Sequence, residues 1–222
     1  MARLRLGVLI SGRGSNLQAL LDACADPAFP AEIALVLSNV ADAFGLERAR
    51  RAGVPTLVID HREFGDRGPD ARLAFEERVS AALEQAGINL VCLAGFMRVL
   101  TAGFVTRWRD RLINIHPALL PAFPGLHTHE RALAAGVRWH GCSVHIVRTE
   151  VDSGPILVQA VVPVLNGDDA DTLAARVLTE EHRIYPLAVR LIAEGRVTVE
   201  GNRARITDAR LADTGGRCNP DG

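Results

Sequence analysis

Asn114 and His116 stand two residues apart in Leu112-Ile113-Asn114-Ile115-His116-Pro117, an apolar segment that reads as a short buried strand. In a strand, side chains at i and i+2 point to the same face. An amide and an imidazole therefore project together, and Pro117 and Pro121 stop the strand just beyond them. The amide can donate to a developing oxyanion. The imidazole titrates near neutrality, so it can take or give a proton. A third group usually orients such a ring. The best candidate is Asp152, in the turn Glu150-Val151-Asp152-Ser153-Gly154-Pro155. No nucleophile accompanies these three and no Gly-x-Ser-x-Gly elbow is present. They suit direct transfer, in which the substrate brings the nucleophile, better than a covalent acyl-enzyme. Each also has an ordinary reading: an Asn that binds backbone, a satisfied structural His, an Asp that only shapes a turn.

A second candidate is Gly12-Arg13-Gly14-Ser15-Asn16, at a strand-to-helix turn. Glycines let backbone approach a ligand there, and a helix N-terminus offers unpaired N–H groups to an anion. The third glycine of a dinucleotide fingerprint would fall at position 17, which is Leu17. A phosphomonoester fits better than a pyrophosphate. The alternative is a tight turn with Ser15 or Asn16 as helix cap. His127, His129 and His145 suggest a metal, but no Cys or carboxylate completes a set with metal-ligand spacing. They read better as pocket wall or as groups behind the catalytic ones. Leu90–Leu100 reads as core strand or as the wall of a pocket for a flat aromatic ligand, with Met97 adapting its shape.

The elements that must position these residues follow from the apolar pattern. Leu4–Ile10, Ile33–Leu37, Thr56–Ile59 and Leu90–Ala94 read as strands. Helices are expected from Asn16 onward, over Phe44–Ala52 and over Asp70–Ala86. That alternation predicts an α/β fold with a parallel sheet covered on both faces. The second half is less regular. It predicts a helix near His129–Ala135, strands at Ser143–Val147 and Ile156–Val164, a long helix over Ala170–Ala193, and an edge strand at Val197–Glu200. One domain is expected over residues 1–212, with a disordered tail at 213–222.

Composition narrows the function. The chain has 222 residues, 48% of them hydrophobic, enough for one sizeable core. No apolar run spans a bilayer and no secretory signal leads the chain. Cys24, Cys92, Cys142 and Cys218 are scattered, as expected of free thiols in a reducing cytoplasm. The net charge is −1 and no basic run alternates with aromatics, which disfavours nucleic acid. All 25 basic residues are Arg. Lysine Schiff-base chemistry and a Walker-A loop are thereby excluded.

Taken together, Val8-Leu9-Ile10-Ser11-Gly12-Arg13-Gly14-Ser15-Asn16-Leu17, Ala41–Ala49, Leu93-Ala94-Gly95-Phe96-Met97-Arg98, Asn114-Ile115-His116-Pro117, Pro124-Gly125-Leu126-His127-Thr128-His129 and Glu180–Pro186 resemble the phosphoribosylglycinamide formyltransferase family. The resemblance runs from about Leu6 to about Gly195. It implies a Rossmann-like, mostly parallel sheet with helices on both faces and an irregular C-terminal half. It implies formyl transfer from 10-formyltetrahydrofolate, a cosubstrate, to the amine of glycinamide ribonucleotide, with no metal and no permanently bound cofactor. Asn114, His116 and Asp152 then look like the catalytic set, with His116 kept charged by Asp152. Gly14, Ser15 and Asn16 look like the phosphate cradle, and Glu181 like the ribose-hydroxyl acceptor. Met97, Arg98, Val99 and Leu100 look like the pterin wall beside Asn114, and Arg72 like a contact for the folate's glutamate tail. A phosphate-binding half over about 1–110 and a folate and catalytic half over about 111–200 follow. A cytoplasmic monomer or homodimer is expected, with no nucleic acid and no membrane partner. Ala118 departs from the Ser common in the family. The rival readings are a formyltetrahydrofolate deformylase, which would turn the same groups on water, and a non-catalytic ligand-binding protein of the same fold.

Overall fold

Five parallel strands and an antiparallel pair make one sheet. The computed structural model describes residues 2–65 and 68–208; the tail expected at 213–222, and with it Cys218, lies outside them. The order along the chain is β1 (Leu4–Ile10), α1 (Ser15–Ala25), β2 (Ala31–Ser38), α2 (Phe44–Arg51), β3 (Thr56–Val58), α3 (Pro69–Gln85), β4 (Leu90–Leu93), α4 (Ala102–Arg107) and β5 (Leu112–His116). There follow α5 (Thr128–Ala134), β6 (Trp139–Ile146), β7 (Ile156–Pro163), α6 (Ala170–Ala193), β8 (Val197–Glu200) and β9 (Arg203–Ile206).

The sheet order is β3-β2-β1-β4-β5-β6-β7. The chain walks outward from β1 to β3, then crosses over to add β4 and β5 on the other side of β1. That reversal puts a crevice at the carboxyl ends of β1 and β4, where open α/β sheets bind ligands. β6 and β7 then join antiparallel.

Both faces are covered, which explains the continuous apolar runs of the parallel strands. On one face Leu6, Val8 and Ile10 pack with Leu17 and Leu20 of α1 and with Leu173, Val177 and Ile184 of α6. On the other, Leu9 and Leu37 pack with Phe75, Val79 and Leu83 of α3 and with Phe104 and Trp108. The Leu120–Pro121 peptide bond is cis.

The structure corrects the sequence reading at four places. β8 does not extend the sheet; it pairs with β9 in a separate two-stranded hairpin. Only Val197 and Val199 of β8 pack on the core, so the strand is one-sided and takes a partner with the same alternation. β6 begins at Trp139, four residues before the expected start, because Trp139–Cys142 pair with Ala160–Pro163 of β7. α4 was not expected; its 6 residues are too few to show a helical period. Neither Ser15 nor Asn16 caps α1. Gly14, at φ 70°, takes the cap position, and no side chain accepts from the first turn.

Glu76 of α3 ties the crevice to the scaffold. Its carboxylate is buried. Oε1 accepts from the Thr101 N–H at 2.9 Å, and Oε2 from the Thr101 hydroxyl. Thr101 is the cap of α4 and follows directly on Met97–Leu100, so this bond anchors that segment. Glu76→Ala leaves a buried donor unmet and is expected to cost about 1–3 kcal/mol, measured by urea unfolding. An unchanged unfolding midpoint would contradict that role.

Candidate active site

Leu9 pairs with Leu93, Leu93 with Asn114, and Asn114 with His145. One row of residues thus crosses β1, β4, β5 and β6 at the carboxyl ends of the parallel strands. Neighbouring strands lie about 4.8 Å apart, so the loop after β1 and the Asn114 side of β5 are separated by about 10 Å. That span suits a small ligand reaching from one to the other.

The chemistry converges on Asp152. The β6–β7 connection brings its carboxylate to two imidazoles at once. Oδ2 lies 3.4 Å from His116 Nδ1, and Oδ1 lies 3.6 Å from His145 Nε2. The Gly125 N–H donates to Oδ2 at 2.8 Å. All three side chains are nearly out of solvent, at 10% exposure for Asp152, 6% for His116 and 2% for His145. Asn114 Nδ2 lies 3.3 Å from His145 Nε2. The other nitrogen of that ring faces the Ile146 carbonyl at 3.1 Å, which can only accept, so Nδ1 carries the proton there.

His116 Nε2 faces the Phe123 carbonyl at 3.0 Å and donates to it. Burial pushes the His116 pKa below its ordinary value, against the upward pull of that carbonyl and of Asp152. Burial thus opposes the expected role of Asp152 in keeping the ring charged. Burial favours the neutral ring, in which Nε2 keeps its proton toward the Phe123 carbonyl and Nδ1 faces the carboxylate. For Asp152, burial pushes upward. The hydrogen bond with His145, the Gly125 N–H and the pull of either ring when protonated outweigh it and hold the carboxyl below its ordinary value. An ionised carboxylate beside a neutral imidazole is a proton-accepting pair.

The loop after β1 folds as an anion cradle would. Gly14 sits in the left-handed region, and a Cβ on it would come within 2.7 Å of Gly45 Cα at the start of α2. The Gly45 N–H donates to the Gly12 carbonyl at 3.0 Å, and Arg48 of α2 donates to the Arg13 carbonyl at 2.9 Å. The first turn of α1 holds no acidic residue. Asn16 and Glu181 meet although 165 residues separate them, with Nδ2 donating to Oε2 at 2.6 Å. Burial pushes the Glu181 carboxyl up, and the Asn16 bond offsets this only in part. Asn16 Oδ1 is buried and without a partner.

The segment after β4 lies beside that loop. Ser11 Oγ accepts from the Met97 N–H at 2.8 Å, and the Ser11 N–H donates to the Gly95 carbonyl at 3.1 Å. Met97 and Val99 are exposed, at 70% and 62%, as an open wall would be. Leu100 packs on the α3 layer, and the Arg98 guanidinium lies 5.6 Å over the Phe75 ring of α3. Arg72 is exposed, one turn before Phe75.

A family model described as formyl transferase matches residues 4–189. The chain belongs to the formyl transferase family. It is 47% identical over 208 residues to phosphoribosylglycinamide formyltransferase of Escherichia coli, covering 94% of this chain and 96% of that protein. It is 51% identical over 195 residues to the trifunctional purine biosynthetic protein adenosine-3 of Drosophila pseudoobscura pseudoobscura. That match covers 87% of this chain but only 14% of the larger protein's length. The crystal structure of glycinamide ribonucleotide transformylase 1 from Symbiobacterium toebii is similar at TM-score 0.88 and 51% identity, covering 93% of this chain and 95% of that one. Formyltetrahydrofolate deformylase of Burkholderia mallei is similar at TM-score 0.81 and 28% identity, covering 93% of this chain and 71% of that one.

Sequence reasoning missed the central place of His145. It grouped His145 with His127 and His129, as pocket wall or as groups behind the catalytic ones. His145 joins Asp152 instead, whereas His127 is exposed and pairs with Glu130 at 3.4 Å. The signal was the β5–β6 register, which sets His145 opposite Asn114 and is not visible in either strand alone. Among the described residues, no three or more His, Cys, Asp or Glu side chains cluster as a metal site, and no helix is long and apolar enough to cross a membrane.

His140, behind His116, sets an acid limit on the fold. It is 1% exposed, and its ring meets those of Phe123 and His129 edge-on at 5.9 and 5.3 Å. Burial, then the neighbouring His129, pushes its pKa down from 6.5 to about 4. The unfolded chain takes up this proton first. Stability is thus full above about pH 6.5 and falls between 6.5 and 4, by an upper limit of about 3 kcal/mol from this group. Urea midpoints across that range should fall for the wild type and fall less for His140→Gln. Equal losses would contradict the assignment.

Proposed function

We propose that this chain transfers a formyl group from 10-formyltetrahydrofolate to the amine of glycinamide ribonucleotide, a step of purine biosynthesis, as a single cytoplasmic domain. The 47% identity to the Escherichia coli formyltransferase, over nearly the full length of both chains, supports the reaction. The observation that carries the site reading is the Asp152 carboxylate set between His116 and His145, in the same row as the β1 loop.

In this reading, Gly14, Ser15 and Asn16 offer backbone N–H groups to the phosphate, and Glu181 accepts from the ribose hydroxyls. The bound phosphate fixes the amine at the far end, so attack becomes effectively intramolecular. Met97–Leu100 flank the pterin, and Arg72 meets the acidic tail. The amine lone pair attacks the formyl carbon, and the carbonyl electron pair moves onto oxygen. Asn114 turns an N–H to that oxygen. The His116–Asp152 pair takes the proton released by the attacking nitrogen and returns it to the folate nitrogen as the C–N bond breaks. The C=O bond reforms, leaving formylated ribonucleotide and tetrahydrofolate.

Mixing protein, 10-formyltetrahydrofolate and glycinamide ribonucleotide should release tetrahydrofolate only when the ribonucleotide is present. Release without it would favour the deformylase reading, and no release the non-catalytic one. Asn114→Ala, His116→Ala and Asp152→Asn are each expected to lower kcat about 10²- to 10⁴-fold with little change in ribonucleotide affinity. Near-normal single-turnover rates would contradict the roles. Gly14→Val should instead raise KM for the ribonucleotide more than it lowers kcat, because a side chain there presses on Gly45 and spoils the cradle. An unchanged KM would remove the phosphate from that loop.

A further inference from the structure

The loop that carries Asp152 is held from inside and from outside. Inside, Ser153 Oγ donates to the Glu150 carbonyl at 2.9 Å. Gly154 lies so close to β6 that a Cβ would overlap the Ile146 carbonyl oxygen. From outside comes the β8–β9 hairpin. Asn202, at its turn, donates through Nδ2 to the Ser153 carbonyl at 3.0 Å, across 49 residues of sequence. The hairpin takes no part in the main sheet. Val197, Val199 and Ala204 seat it on the core.

Two features give that one bond leverage. Asp152 has φ 53°, in the left-handed region that residues other than glycine adopt infrequently. The peptide after it is therefore where the loop would relax. A cleft of about 410 Å³ also opens between Asn202–Ala204 and Leu120, Pro121, Asp152 and Ile156. The loop has space to move into, and the Asn202 amide spans to the peptide that would move.

We propose that Asn202 is a positioning residue, holding the Ser153 peptide so that the Asp152 carboxylate stays within reach of His116 and His145. This rests on the reading of Asp152 as a catalytic residue. Asn202 is exposed and acts on the reaction only through the loop. Its loss lowers the fraction of molecules with Asp152 in place, which lowers kcat and leaves ribonucleotide binding alone.

The test compares four variants of the full chain. Asn202→Asp is isosteric but has no donor, Asn202→Ala removes the group without adding charge, and Asn202→Gln keeps the amide. Asp and Ala are expected to lower kcat about three- to tenfold, the weight of one neutral hydrogen bond. KM for glycinamide ribonucleotide and the thermal midpoint should stay at wild-type values, and Gln should recover most of kcat. Wild-type kcat in both Asn202→Asp and Asn202→Ala overturns the proposal, as does a raised KM with kcat unchanged. Asp152→Asn, run alongside, separates the two claims. Its inactivity beside fully active Asn202 variants overturns the brace alone. Wild-type turnover in Asp152→Asn overturns the role of Asp152 and the brace with it.

Discussion

One carboxylate shared by two imidazoles organises this molecule. Asp152 is on a connection between antiparallel strands, yet it faces His116 at the end of a parallel one and His145 on the strand between them. The change from parallel to antiparallel at β5 sets His145 of β6 opposite Asn114 and two residues from His116 in register. A further parallel strand would need a long crossover over the face of the sheet. The β6–β7 connection leaves β6 beside the start of β5, where Ile146 pairs with Ile113, and its loop folds back to bring the carboxylate to both imidazoles. The tight passage of Gly154 under Ile146 and the left-handed backbone of Asp152 are the local conditions of that turn.

Burial decides the protonation of the site. A carboxylate 3.4 Å from an imidazole would normally favour the charged ring. Here the ring is nearly dry, and desolvation outweighs the attraction. Burial thereby favours a carboxylate beside a neutral imidazole, a pair suited to accept a proton. The same burial raises the Glu181 carboxyl at the other end of the crevice, where Asn16 is its one strong partner. Both ends of the site are thus polar groups held in a largely dry setting. There, hydrogen bonds to a ligand gain most and unmet ones cost most.

The sequence carried the parallel half of the fold well, because buried parallel strands read as continuous apolar runs separated by helices of clear period. It carried Asn114 and His116 through their i, i+2 spacing, and Asp152 through its turn. What it could not carry was set by contacts distant in sequence. Register alone puts His145 opposite Asn114. The helix starts at Ser15, so the cap position falls on Gly14, and Asn16, inside the first turn, gives its amide to Glu181. β8 left the main sheet because β9 offered a nearer partner of matching alternation. The downward pull of burial on His116 was not legible, because the sequence shows the neighbouring carboxylate but not the depth of burial.

The most direct measurement is a crystal structure with glycinamide ribonucleotide and an unreactive 10-formyltetrahydrofolate analogue bound together. The account predicts the phosphate on the N–H groups of Ser15 and Asn16, and the ribonucleotide amine about 3–3.5 Å from the formyl carbon. The formyl oxygen should face the Asn114 amide, with His116 and Asp152 beside the amine. A formyl carbon bound away from Asn114 and His116, or a phosphate bound elsewhere than the β1–α1 turn, would contradict it.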